Sequence, residues 1–259
     1  MRGQVGSGVD GGRRMPPAEH ASSVVTVPLT SRAARMRTAT TQPVLVLLLA
    51  VALGLLTVAV TVGWWPVSLD HAVAAAVPGK HATGLASVLL GLASAVTTLA
   101  TPQGTVLLTL AMAAWLAHRE GNLDALRVVA GPLVVLAVSV LAGKALLHRP
   151  GPPGSHLHHL FGYYPSGHTT TAVVCTGLLT RLAATRLPAQ RDLLRAGAAL
   201  WTLLVGASLV VHRYHWLSDV VAGLLLGSLI VHATRPALRE ATACTSDRVG
   251  NTILGSPST

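Results

Sequence analysis

The chain is poor in cysteine, with only Cys175 and Cys244 among 259 residues. That excludes a disulfide scaffold and any Cys-rich zinc or iron–sulfur framework. Charge is scarce as well: 11% of residues are charged, against about 25% in soluble domains. Acidic residues number 9 and basic residues 19, and every basic residue except Lys80 and Lys144 is an arginine. What fills the chain instead is apolar, a hydrophobic share of 51% with a mean hydropathy of +0.57. Intrinsic disorder is thereby excluded for the bulk of the chain. A net charge of +10 suits nucleic acid only where the charge lies together on a solvated face. Here the arginines punctuate long apolar runs, the pattern of an integral membrane protein under the positive-inside rule, so no nucleic-acid partner is expected.

Residues 1–42 are rich in Gly, Pro, Ser, Thr and Arg without apolar periodicity and are expected to form a disordered basic cytoplasmic tail. A second such tail is expected at 236–259. Between them, 43–235 is expected to form one all-α, polytopic domain, a bundle of six transmembrane helices. The runs are Pro43–Trp65, Gly104–Ala117 (extendable back to Ala100), Val128–Leu147, Thr169–Leu187, Leu193–Val211 and Trp216–Ala233. His81–Ala100 is apolar but rich in Gly, Ala, Ser and Thr, and the break signal Thr101-Pro102-Gln103-Gly104 follows it. Charge decides its place. If it does not cross, the N-terminal arginines share one face with Arg119 and Arg127, with Arg181, Arg186, Arg191 and Arg195, and with Arg235, Arg239 and Arg248. If it crosses, the N-terminal cluster falls opposite the others, which the positive-inside rule disfavours. The expectation is therefore an additional interfacial or re-entrant helix, both termini cytoplasmic, and a multi-pass plasma-membrane protein; the Arg-rich, Lys-poor composition suits a high-GC bacterial genome.

In this topology 148–168 and 212–215 share the extracytoplasmic face. Charges inside or at the edge of a membrane are costly and mark function by default. Lys144 lies a turn inside the end of the third span and Asp219 at the start of the sixth. Taken singly, Lys144 reads as a snorkelling side chain and Asp219 as a helix cap. In Tyr164-Pro165-Ser166-Gly167-His168-Thr169, Ser166 is placed to cap a helix. Gly167 leaves the free backbone amides open to an anion, and His168 stands in the first turn. His215 and Asp219 are four apart, so a helix stacks the carboxylate one turn from the imidazole. The carboxylate then fixes the tautomer and leaves the other ring nitrogen as a nucleophile.

Together these segments resemble the type-2 phosphatidic acid phosphatase superfamily, whose pattern is Lys-x6-Arg-Pro, then Pro-Ser-Gly-His, then Ser-Arg-x5-His-x3-Asp on a six-helix membrane bundle. Pro165–His168 matches the middle motif in full; Ser208, His215 and Asp219 match the third at the right spacing. Gly151 and Leu209 stand where the family has its two arginines. The nearby Arg149 and Arg213 are the candidate replacements, Arg213 because residue 213 falls on the same helical face as 209 if that helix persists. On that reading, an Arg restored at Leu209 serves in place of Arg213. The resemblance implies a hydrolase in which His215, oriented by Asp219, attacks phosphorus to form a phosphohistidine. It also implies that His168 is acid and then base, and that Lys144, Arg149, Arg213, Ser166 and Gly167 hold the phosphate oxygens. No cofactor and no metal are implied. The expected partner is a membrane lipid phosphate: a polyprenyl pyrophosphate, phosphatidic acid or phosphatidylglycerol phosphate.

Two rivals remain open. His148, His156, His158, His159 and His168 lie close in sequence, which raises a metal site, although no Cys or carboxylate accompanies them. A lipid-binding or transport protein on the same scaffold is the other, but binding alone needs no nucleophile.

Overall fold

The computed structural model describes residues 29–77, 83–155 and 162–234, with side chains from Gln42 onward. Among the described residues every regular element is helical. The elements are α1 (Leu29–Thr61), α2 (Trp65–Ala76), α3 (Leu85–Leu99), α4 (Pro102–Glu120), α5 (Asp124–Leu147), α6 (Gly167–Ala184), α7 (Arg191–Val211) and α8 (Leu217–Ala233). A single 3₁₀ turn, Pro188–Gln190, precedes α7. The chain divides into two compact units, Met1–Ala39 and Thr40–Thr259, and the second holds α1 from Thr40 onward together with α2 to α8. α1 begins at Leu29, inside the stretch expected to be a disordered tail; 1–28 and 235–259 lie outside the described residues.

Three segments are long and apolar enough to cross a membrane: Gln42–Thr61, Asp124–Leu147 and Pro188–Val211. α3 and α4 pass that test only as a pair, bent by 51° at the break between them. The break falls where the Thr101–Gly104 signal puts it, with Pro102 in the first turn of α4, where its missing N–H costs nothing. α8 is apolar but short at 17 residues. α6 fails the apolarity test because its sequence is rich in threonine. The expected six spans are thus reduced to three or four that qualify on length and composition alone. α2 was not foreseen: the first span was expected to end at Trp65 and no element was assigned to 66–76, but Pro66, in the first turn, helps to start a separate helix after Trp64.

α6 is the axis of the bundle, packed against α4, α5, α7 and α8. Val174, Leu178 and Leu182 join Ala113 and Leu116 of α4, Val129 and Leu136 of α5, and Leu226 and Ile230 of α8 in one core. Ala172 joins Val205 and Leu209 of α7 and Val220 of α8 in a second. A helix surrounded on all sides by protein can carry threonines, because Thr170 and Thr176 donate to the backbone carbonyls of Ser166 and Ala172. α8 approaches α6 through Gly223 and Gly227. A Cβ at Gly227 would lie 2.6 Å from Val173 Cβ, and one at Gly223 would lie 2.9 Å from the Ser166 carbonyl. Glycines four apart are what bring two helix backbones this close.

Candidate active site

The end of α5, the start of α6, the end of α7 and the start of α8 meet at one end of the bundle. At the opposite end Arg186, after α6, pairs with Glu120, at the end of α4. Ser166 caps α6, its Oγ accepting from the Thr169 amide and hydroxyl, and its own amide donates to the Asp219 carbonyl at 3.0 Å. That last bond ties the second motif to the third. Lys144 runs beside it: its Cε would be 4.0 Å from a Cβ on Gly167, and its Nζ donates to the Gly162 carbonyl at 2.8 Å. An ammonium has three protons, so two remain for other acceptors.

His215 is 2% exposed and Asp219 fully buried. His215 Nδ1 stands 3.4 Å from Asp219 Oδ2, which also accepts the Trp216 amide at 3.1 Å. The predicted pairing is therefore present, but its geometry is a capped turn: His215 precedes α8, and Asp219 occupies its first turn. The rings of His168 and His215 lie edge to face with centroids 6.5 Å apart, and Tyr163 packs edge-on to His215 at 5.7 Å.

The two candidate replacement arginines have separate fates. Arg149 is enclosed. Its Nη1 donates to Asp219 Oδ1 and to Ser218 Oγ, its Nη2 donates to Asp70 Oδ2 at 2.7 Å, and the Trp216 ring lies 5.7 Å from its Cζ. Arg213 is not on the face of Leu209. α7 ends at Val211, and Arg213 takes a left-handed φ of 54° that turns the chain back, its Nη2 donating to the Val77 carbonyl at 3.2 Å. It nevertheless lines a narrow recess together with His215, Asp70, Pro152 and Trp216. Leu209 itself is enclosed among Ala100, Ala172, Val205 and Val220.

Gly151, where the motif arginine is missing, lies under the Tyr163 ring. A Cβ there would come within 2.4 Å of that ring, so Tyr163 occupies the volume a longer side chain needs. Tyr163 is held by its Oη against Ser155 Oγ at 3.1 Å. Next to it, Tyr164 Oη bonds Thr57 Oγ1 of α1 at 2.7 Å. Burial pushes the Tyr164 phenol above its ordinary value, partly offset by the Thr57 bond. Burial pushes the His212 imidazole down, which keeps it neutral near pH 7.

Asp70 of α2 is the site residue that sequence reasoning missed. It is 2% exposed, accepts the Ser218 amide at 2.8 Å through Oδ1, and takes the Ser218 hydroxyl and Arg149 through Oδ2. A lone carboxylate in an apolar stretch was a signal the sequence offered; no motif drew attention to it. Among the described residues no group of three or more His, Cys, Asp or Glu side chains is disposed to hold a metal ion. His156, His158 and His159 lie outside the described residues.

The chain is similar in fold to the crystal structure of the first transmembrane PAP2 type phosphatidylglycerolphosphate phosphatase from Bacillus subtilis. The TM-score is 0.63 at 21% identity, over 75% of this chain and 96% of that one. No curated protein matches the chain. The family model for the PAP2 superfamily matches residues 133–242, the stretch that holds all three motif segments. Residues 133–242 of this chain are thus similar to the PAP2 superfamily, within a chain whose fold is similar to that of a transmembrane PAP2 type phosphatase.

Proposed function

We propose that this protein is a membrane phosphatase of the PAP2 superfamily, which hydrolyses lipid phosphates or pyrophosphates through a phosphohistidine on His215. The observation that carries the reading is the pair of neighbouring imidazoles, one of them held at Nδ1 by a buried carboxylate. With Nδ1 occupied, Nε2 carries the lone pair. Nε2 forms a bond to phosphorus as the bond from phosphorus to the leaving oxygen breaks, and His168 supplies the proton that oxygen needs. Water then attacks phosphorus, gives its proton to His168 and breaks the phosphorus–nitrogen bond. In this reading Lys144, Arg213, Ser166 and the Gly167 amide hold the phosphoryl oxygens, and fixed donors at developing charge are the largest usual term in such a transfer. No cofactor is invoked.

Six spans, α1 and α4 to α8, suit this reading, with α2 and α3 supplementing them at or within the membrane edge. α8 would be ~26 Å long, close to the hydrocarbon thickness of about 30 Å. The Arg186–Glu120 pairing puts two arginine-rich helix ends together, away from the site. Under the positive-inside rule that end is cytoplasmic, the site extracytoplasmic and the membrane a plasma membrane. The substrate classes that fit are a polyprenyl pyrophosphate, phosphatidic acid or phosphatidylglycerol phosphate.

Phosphate release by the purified protein in detergent, with and without chelator, tests this across such a panel. Release insensitive to chelator is expected, with an acid-labile, alkali-stable phosphoryl group trapped on His215. No release from any lipid, with tight lipid binding retained, would replace the enzyme by a lipid-binding protein.

A further inference from the structure

The Asp70–Arg149–Asp219 cluster is not explained by phosphate binding. Arg149 is 11% exposed in its side chain, and its guanidinium is already committed to two carboxylates, a serine hydroxyl and an aromatic face. A phosphate would have to displace Asp219, the residue that holds His215. We infer that Asp70 is a positioning residue, which draws Arg149 away from the phosphate and fixes it as a strut behind Asp219. The inference rests on the phosphohistidine reading of His215 and assigns Arg149 a different task within it.

The charge balance gives the physical reason. Arg149 against Asp219 alone would be a neutral pair, in which the carboxylate has little left to offer an imidazole. Asp70 adds a second negative charge, so the cluster keeps one net negative charge in a buried setting where Coulomb energies are large. That charge holds the proton on His215 Nδ1. It also offsets the positive charge the ring acquires when Nε2 bonds to phosphorus. Asp70 and Ser218 also form a mechanical link. Ser218 donates its amide and hydroxyl to Asp70 and accepts from Arg149, so α2 grips the first turn of α8 one residue before Asp219. A buried ion cluster of this kind is costly unless every member is satisfied. Here Asp70 has bonds at both oxygens, and Arg149 has two at Nη1 and one at Nη2.

Charge swapping separates this role from simple packing. Asp70→Asn preserves size and leaves the cluster neutral. It is expected to lower kcat about 10- to 100-fold, the scale of a lost charge-assisted hydrogen bond, with KM changed less than about twofold. Asp70→Asn with Arg149→Gln restores the single negative charge at Asp219 and is expected to recover about tenfold of that loss. Orthovanadate, which bonds to a nucleophilic imidazole as phosphorus does, provides a readout without turnover. Its affinity is expected to rank wild type and the double variant above Asp70→Asn. A double variant worse than either single one, with KM raised by Arg149→Gln alone, would return Arg149 to the phosphate and overturn the inference. Asp70→Asn with wild-type kcat and vanadate affinity would overturn it equally. A wild-type protein that releases no phosphate but keeps the vanadate ranking sinks the lipid phosphatase reading and leaves the cluster's role standing.

Discussion

α1 and α6 are both single helices of this bundle, and they differ in almost every respect that sequence reading uses. From Gln42 to Thr61, α1 is the most apolar and least buried of the three segments that qualify as spans; Leu47, Leu48, Leu55 and Val58 are all exposed. α6 begins with Gly167, His168 and three threonines and has no exposed residue along its length. In lipid the outside of the protein has to be apolar, whereas a helix lined by other helices can satisfy polar groups internally. Apolarity therefore identifies the helix that faces lipid and passes over the helix that builds the site. The same contrast explains why only three segments qualify as spans by composition, although α6 lies at the centre.

The sharpest break in that comparison is expected from the start of α8 and α6. His215→Asn should lower turnover by about 10⁴-fold or more, the scale for a lost nucleophile, with the melting temperature retained; Leu47→Ala on α1 should leave turnover unchanged. Activity within tenfold of wild type in His215→Asn would make the neighbouring imidazoles structural. Next in size is Arg213. Arg213→Ala should cut kcat by roughly 10²-fold, as for loss of one transition-state donor, and Arg213→Lys should restore part of it. Leu209→Arg in that background is not expected to help, contrary to the expectation from helical spacing, because it would bury an unpaired charge among alanines and valines.

Third comes packing. Gly227→Ala is expected to cost about 1–3 kcal/mol of stability, since its Cβ would overlap Val173. Gly54→Ala on α1 meets nothing within 4 Å and should stabilise by about 0.5–1 kcal/mol through helix propensity. Denaturation of both variants in the same detergent checks the sign. A shared sign would mean that α6 and α8 are not in close contact. The smallest effect, and the most diagnostic for the first motif, concerns Gly151. Gly151→Arg is expected to reduce activity rather than improve it, by displacing Tyr163, and Tyr163→Ala in that background should recover a few-fold, on the scale of relieved overpacking. Improved turnover by Gly151→Arg alone would show that the motif arginine had room all along.

Much of the site was legible from the chain. Ser166, Gly167, His168, His215 and Asp219 carry their message in spacing and in their position at helix starts, and Lys144 in being a charge within an apolar run. The helix break at Thr101 was legible for the same local reason. Arg213 was legible as a candidate, but the helical-face argument for it failed because α7 stops at Val211. Tyr163 carried no signal at all: its meaning comes from the bare Cα of Gly151 beneath it.

By itself the sequence determined that this is a membrane protein, which residues carry the three motifs and that two motif arginines are absent, because hydropathy, spacing and residue identity are properties of neighbours along the chain. Only the tertiary structure decided where Arg213 lies and which groups surround Arg149. Its partners Asp70 and Asp219 are 79 and 70 residues away, Ser218 and Asp70 are 148 apart, and no periodicity links such positions. Burying a guanidinium requires carboxylates to be brought to it, and in this chain packing α2 against α8 is what brings them.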